Sequence, residues 1–187
     1  MAALYVVVCS TRPGRAGPKI AVWYVERARA HGKFEVTLVD LAAVNLPMYD
    51  EPNHPMRRQY TKEHTKAWSA IVAAADAFVF VTPEYNFSAP PALVNALDFL
   101  YHEWSYKPVA FVSYGGLSGG LRSVQTTKLI VTALKMMPIP EGVTLPFAAK
   151  SLTADGKFDP GPTPDDSIVK QLDELLLWST ALRTLRP

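Results

Sequence analysis

The chain alternates short apolar segments with longer amphipathic segments, and no other feature limits its possible folds as strongly. Segments rich in β-branched and aromatic residues are predicted as strands at 3–10, 34–41, 77–82, 108–114 and 142–148. Segments with apolar residues at helical spacing are predicted as helices at 18–31, 62–76, 92–104, 121–137 and 165–185. Because strands that alternate with helices form parallel crossover units, the pattern predicts an α/β fold, a doubly wound five-stranded parallel sheet with helices on both faces.

Length and composition narrow the class of protein further. The 187 residues are 49% apolar and 19% charged, without a repeat or a linker, which favours one globular domain over residues 1–187. A net charge of +2 with scattered basic residues predicts no nucleic-acid or membrane partner. The one cysteine, Cys9, and the lack of a signal-peptide pattern predict a cytoplasmic protein. The four histidines lack metal-ligand spacing, so no metal site is predicted.

Three loops follow the predicted strands one, three and four, and all three have unusual chemistry. Ligands of doubly wound sheets bind outside the carboxyl ends of the strands. The first loop, CSTRPGRAGP, offers a possible phosphate cradle before a helix, made of Ser10, Thr11, Arg12, Arg15 and Gly17. An ordinary capped helix start, with both arginines in solvent, explains this loop equally well.

The glycine patterns of the P-loop and of dinucleotide-binding folds are absent, so the first loop suits a single phosphate. Asp40, at the end of the second predicted strand, is interpreted as a solvated strand end. In the second loop, Pro83, Glu84, Tyr85 and Asn86 form a set that can border a flat heteroaromatic ring. The alternative is a proline-rich loop whose tyrosine packs on the domain.

The third loop, SYGGLSGG, has four glycines within six residues. Such a loop either approaches another group closely or adopts positive φ, or both. The alternative is a flexible turn. Each loop alone is a weak indication of a ligand, but the three together at one edge of the sheet predict a ligand site there.

The blocks STRPGR, PEYNFSAPPALVNALD and KPVAFVSYGGLSGGLRS resemble the NAD(P)H-dependent FMN reductases of the flavodoxin-like superfamily, a group with azoreductase-like and chromate/quinone reductase-like members. The resemblance covers about residues 3 to 140. It implies that Ser10, Arg12, Arg15 and the backbone near Gly17 hold the FMN phosphate. It also implies that two further sets border the isoalloxazine ring: Pro83, Glu84, Tyr85 and Asn86 on one side, and Ser113, Tyr114, Gly115 and Gly116 on the other.

The function that the resemblance implies is electron transfer from NADPH or NADH, through flavin N5, to a small-molecule acceptor by a ping-pong mechanism. The acceptors are quinones, azo compounds, metal oxyanions or flavins, and no catalytic side chain is required. The alternative is a non-catalytic flavin-binding electron carrier or regulatory protein. The sequence pI of about 8.6 argues against an acidic carrier.

The resemblance also implies a homodimer or homotetramer with the flavin near a subunit boundary. Four aromatic residues lie in the predicted helix 92–104, which follows the second loop, or just after it. They are predicted to supply part of the partner surface: Phe99, Tyr101, Trp104 and Tyr106. Core packing is the alternative for about half of them.

Overall fold

The computed structural model describes residues 1–162 and 164–186. The strands are β1 (Ala2–Val8), β2 (Phe34–Asp40), β3 (Ala77–Pro83), β4 (Pro108–Gly115) and β5 (Met137–Pro146). The helices are α1 (Gly17–His31), α2 (Leu41–Val44), α3 (Glu63–Ala73), α4 (Pro91–Asp98), α5 (Leu121–Ala133) and α6 (Asp165–Leu182). Short 3₁₀ turns lie at Pro55–Arg57, Ala148–Ser151 and Arg183–Leu185.

The five strands form one sheet in the order β2-β1-β3-β4-β5, and every neighbouring pair is parallel. This is the strand order of flavodoxin-like folds, in which the order reverses next to β1 and opens a crevice at the carboxyl ends. The predicted doubly wound parallel sheet is therefore confirmed. All three loops of interest lie at this one edge.

The core has two layers because side chains of successive strand residues point to opposite faces of the sheet. On β3, Val79 and Val81 pack with α1 and α6, whereas Phe78 and Phe80 pack with α3, α4 and α5. Every residue of β3 is buried, as expected for a central parallel strand. Helix α1 ends at His31 and is followed by Gly32, whose φ of 77° is the left-handed conformation common after the last helical residue.

Three boundaries differ from the prediction. Helix α4 ends at Asp98 rather than at Trp104, and β5 begins at Met137, where a helix was expected. No element was predicted between the second strand and the second helix, but α2 begins at Leu41 and is capped by the Asp40 carboxylate. No helix in the described part of the chain is long and apolar enough to cross a membrane.

The prediction of an aromatic partner surface after α4 is wrong for two of its four residues. Phe99 and Trp104 are at most 1% exposed and belong to the core layer on the α3 side. Trp104 packs against Trp68, Phe78 and Phe80, and its indole N–H donates to the Leu97 carbonyl. Tyr101 and Tyr106 are half-buried. The apolar run continues past the helix because the chain stays in the core.

Candidate functional site

A cleft of about 200 Å³ opens at the carboxyl edge of the sheet, where the three loops meet the segment after β5. Its lining residues are Arg12, Arg15, Ala16, Pro83, Glu84, Tyr85, Tyr114, Gly115, Ala148 and Ala149. The structure thus brings together parts of all three predicted loops. Ala148 and Ala149 also line the cleft, although no feature of the sequence predicted them there.

The first loop contributes Arg15 to the lining of this cleft. Arg15 donates from Nη2 to Asp40 Oδ2 at 2.5 Å, and its side chain is only 17% exposed. Its Nε is buried and has no hydrogen-bond partner among the residues described. A buried N–H without an acceptor is costly, so this atom indicates a place for an anionic ligand. Asp40 is consequently a partner of the site rather than a solvated strand end.

The start of α1 has no side-chain cap, although Lys19 and Ile20 donate their backbone N–H groups to the Ala16 carbonyl at 3.0 and 3.2 Å. Its N-cap residue is Ala16, which makes no side-chain cap, and Pro18 follows in the first turn. The alternative of an ordinary Ser or Thr cap is therefore not what the structure shows. The Gly17 N–H at this helix start, which has no acceptor among the described residues, and the partial positive charge of the helix end both favour a phosphate.

Ser10 and Tyr114 join the first and third loops beneath α1. The Tyr114 hydroxyl donates to Ser10 Oγ at 3.1 Å, Ser10 is fully buried, and burial raises the pKa of Tyr114. A Cβ on Gly17 would lie 2.5 Å from Ser10 Oγ and 2.8 Å from the Tyr114 hydroxyl. Glycine is needed at position 17 because two hydroxyl groups pack against it.

Glu84 connects the second loop to the third loop and to α5. Its carboxylate accepts from Ser118 Oγ at 2.9 Å, from the Arg122 backbone N–H at 3.1 Å and from Arg122 Nε at 2.6 Å. Burial favours the neutral acid, but these bonds outweigh it and lower the pKa of Glu84. The carboxylate therefore serves as a remote cap for α5 and fixes the two loops relative to each other.

Two of the four glycines in the third loop are required by the packing of the loop on the sheet. Gly119 and Gly120 have φ of 58° and 86°, and a Cβ on Gly120 would lie 2.7 Å from the Tyr114 backbone nitrogen. Both glycines are thus required by the approach of the loop to β4 and β5. A Cβ on Gly116 would meet nothing within 4 Å, so the space beside it is open.

Six predicted site residues do not line the cleft. Thr11 lines a second cleft of about 360 Å³ together with residues of α2 and α4. Ser10, Gly17 and Ser113 are buried beneath the loops, while Asn86 is exposed at the tip of the second loop. Gly116 also lies outside the lining, beside Gly115. Asp40, Ser118 and Arg122 were missed, because their roles depend on partners distant in the sequence.

A comparison with models of protein families identifies the family of this chain. The model of the family described as NADPH-dependent FMN reductase matches residues 2–150. The chain belongs to this family. It is accordingly an oxidoreductase that uses NAD(P)H as electron donor and FMN as cofactor, which confirms the resemblance seen in the sequence.

Individual relatives agree with this assignment. An NAD(P)H-dependent FMN reductase of Schizosaccharomyces pombe is 44% identical over 161 residues, which cover 84% of this chain and 78% of that protein. One of Saccharomyces cerevisiae is 35% identical over 97% of both chains. The flavoenzyme NAD(P)H:(acceptor) oxidoreductase FerB of Paracoccus denitrificans superposes with a TM-score of 0.76 at 21% identity, covering 97% of this chain and 98% of that chain. That likeness shows a shared fold.

The residues of the cleft fit the phosphate end of FMN. The unpartnered Nε of Arg15, the uncapped start of α1 and the exposed Arg12 all offer donors at one place. Ser10 is fully buried beneath the cleft and accepts from the Tyr114 hydroxyl, so it supports the cleft wall. A phosphate monoester supplies the oxygen acceptors that this set of donors lacks.

Proposed function

We propose that the chain transfers electrons from NAD(P)H to small planar acceptors, quinones and azo compounds first among them, at the cleft formed by its three loops. The observation that carries this proposal is the buried, unpartnered Arg15 Nε beside the uncapped start of α1, inside a cleft whose other walls are Tyr85, Tyr114 and Gly115. Two relatives, an NADPH azoreductase of Bacillus sp. and an NADPH:quinone oxidoreductase of Arabidopsis thaliana, support these acceptor classes. Metal oxyanions and free flavin are further acceptors in this proposal.

The phosphate end of the cofactor is assigned to the first loop. Arg12 and Arg15 pair with the phosphate oxygens, Ser10 and Thr11 donate hydroxyl hydrogens, and the backbone at Gly17 donates from the start of α1. Asp40 holds Arg15 so that Nη2 is occupied and Nε is free. Because Asp40 holds Nη2, the guanidinium of Arg15 is already oriented before a ligand binds.

The ring end is assigned to the second and third loops. Pro83, Glu84, Tyr85 and Asn86 border one side, and Ser113, Tyr114, Gly115 and Gly116 border the other. Support comes from the positions of Pro83, Tyr85, Tyr114 and Gly115 in the cleft lining and from the open space beside Gly116. The Glu84 contacts with Ser118 and Arg122 keep the two walls at a fixed separation.

When bound, FMN supplies a hydride acceptor at N5 and a store for two electrons, so no acid–base side chain is needed. The protein's part is to bind, to orient and to leave one side of the cleft accessible. A single cleft that receives the donor and then the acceptor predicts ping-pong kinetics. A cytoplasmic location stays a prediction from the sequence.

We also propose that residues 1–187 form one flavodoxin-like FMN-binding domain and that the protein assembles as a homodimer or homotetramer. Exposed apolar residues on the long segment after α2 support assembly, since Met48 is 79% and Met56 is 53% exposed. A mass equal to one 20.6 kDa chain by light scattering at micromolar concentration would contradict it.

The experiment for the proposed function starts from protein incubated with FMN and freed of excess ligand. We expect a retained flavin absorption band that bleaches on anaerobic addition of NADPH and returns on addition of a quinone. Parallel lines in double-reciprocal plots would support the ping-pong order. A retained band that neither NADPH nor NADH bleaches would instead indicate an electron carrier or a regulatory protein.

A further inference from the structure

The second loop ends in a tight hairpin whose tip carries an exposed aromatic ring. Tyr85 and Ser88 exchange two backbone hydrogen bonds, at 3.0 and 2.9 Å, and pair as an isolated antiparallel bridge. The two residues between them, Asn86 and Phe87, have φ of 49° and 65°. Turns with two left-handed central residues favour glycine at the second position, and here that position holds phenylalanine.

Burial of the Phe87 side chain contributes little free energy to offset the cost of this backbone conformation. Its side chain is 66% exposed, although left-handed φ is rare for a bulky residue. The ring therefore does not stabilise the fold by packing into the core. Strained residues of this kind concentrate at sites of function, and this one lies two residues after Tyr85, which lines the flavin cleft.

Arg122 holds the ring in a fixed orientation. The centre of its guanidinium lies 3.8 Å from the centroid of the Phe87 ring, and Nε and the backbone N–H of the same residue donate to Glu84. The arginine is thus fixed by the carboxylate and in turn covers one face of the ring. With Arg122 beside it, the ring of Phe87 is still 66% exposed, two residues from the cleft-lining Tyr85.

We propose that Phe87 is a stacking surface for the planar electron acceptor and determines the preference of the enzyme for aromatic acceptors of the quinone type. This role rests on the function proposed above and adds the residue that selects the acceptor. Electron-poor planar rings stack favourably in offset geometry on an aromatic face. A ring that is oriented in advance by Arg122 loses little conformational freedom when the acceptor binds.

The test compares three variants in the FMN-loaded protein. Phe87→Gly removes the ring and suits the left-handed backbone, and Phe87→Tyr keeps an aromatic face. Tyr106→Gly is the matched control, because Tyr106 also has positive φ (61°) and a cation over its ring, Lys135 at 5.7 Å, but precedes β4 at the opposite edge of the sheet. The probe is 1,4-naphthoquinone, titrated without donor and followed by quenching of flavin fluorescence.

We expect Phe87→Gly to raise the naphthoquinone Kd about five- to tenfold, which corresponds to roughly 1.0–1.4 kcal/mol. Phe87→Tyr and Tyr106→Gly should stay within about twofold of the parent protein, given the modest energy of one stacking contact. Reduction of ferricyanide, which is not planar, should keep its rate in all three variants. The Tm of flavin-free Phe87→Gly should not fall, since glycine relieves the backbone.

An unchanged naphthoquinone Kd in Phe87→Gly would overturn the proposal. If the variant lost subunit association with that Kd unchanged, Phe87 would be an interface residue instead. An equal rise in the KM for NADPH, with the quinone Kd unaffected, would assign the ring to the donor. Failure of the parent protein to retain FMN would refute the proposed function itself, which is a separate and distinguishable result.

Discussion

Gly17→Ala tests the packing beneath the first loop, because two general rules predict opposite signs for it. Position 17 is the first residue of α1, and alanine is the better helix former by about 1 kcal/mol. The new methyl group, however, would lie 2.5 Å from Ser10 Oγ, 2.8 Å from the Tyr114 hydroxyl and 3.1 Å from a Val8 methyl group. All three neighbours are buried, so the methyl group has no free space to enter.

The structure gives the magnitude of the opposing effect. Separating Ser10 from Tyr114 breaks a buried hydrogen bond, which costs about 1–3 kcal/mol. Forcing a methyl group into a filled site costs a further 1–3 kcal/mol or so. With the gain from helix propensity subtracted, we expect a net loss of roughly 3 kcal/mol. For a chain of this size that lowers the Tm by roughly 6–12 °C.

The assay is thermal and urea unfolding of the flavin-free protein, followed by circular dichroism. Gly142→Ala is the control, because its Cβ would lie no closer than 4.0 Å to any neighbour and its stability should stay near that of the parent protein. In a Ser10→Ala background the Gly17→Ala loss should shrink, since the closest contact is gone. A Gly17→Ala protein as stable as the parent would show that Ser10 and Tyr114 do not pack on position 17.

Three further predictions concern ionic contacts. Arg15→Ala should weaken FMN binding about 10- to 100-fold in a fluorescence titration, as expected for a lost charged hydrogen bond, and an unchanged Kd would remove Arg15 from the phosphate site. Although burial favours the neutral acid, hydrogen bonds from the backbone N–H groups of Thr61 and Lys62 lower the pKa of Glu51 to about 2. Its contribution is therefore present above pH 4.5 and lost as the pH falls towards 2, so Glu51→Gln should flatten this part of the stability profile in urea unfolding. Glu84→Gln should lower the free energy of unfolding by about 1–3 kcal/mol in urea, and no change would show that Ser118 and Arg122 do not depend on it.

The fold could be predicted because its determinants are local. Strands β1, β3 and β4 are short apolar runs, and Gly32 marks the end of α1 by its own conformational freedom. The first half of β5 is different, because its two prolines and Glu141 are not typical of a strand. The end of α4 could not be predicted in this way. Phe99 and Trp104 continue the apolar pattern of that helix, yet they are buried by contacts with β3 and α3 after the helix has ended. Periodicity does not distinguish a buried helix from a buried irregular segment.

The position of the site could also be predicted, because parallel strands bring their carboxyl ends to one edge. The contacts inside it could not. The meeting of Ser10 with Tyr114 joins residues 104 positions apart, and the contact of Glu84 with Arg122 spans 38 positions. Gly17 was assigned to close approach of an anion, but its immediate neighbours are protein hydroxyl groups. A glycine in a sequence indicates that another group approaches the backbone closely. Only the fold shows whether that group belongs to the protein or to a ligand.

The charged residues around the first loop show most clearly what the sequence alone cannot predict. From the sequence, Arg12 and Arg15 look like two equal cations and Asp40 like a solvated acid, but the structure pairs Arg15 with Asp40 at 2.5 Å and leaves Arg12 exposed at the cleft. The local formal charge is then close to that of one cation, too small to hold a phosphate by attraction alone. In the proposed site, directed donors supply the rest of the affinity: the Nε of Arg15 and the Gly17 N–H at the start of α1. Since hydrogen bonds to charged acceptors depend on geometry, the Asp40 contact that fixes Arg15 contributes to recognition even though its charge opposes the ligand.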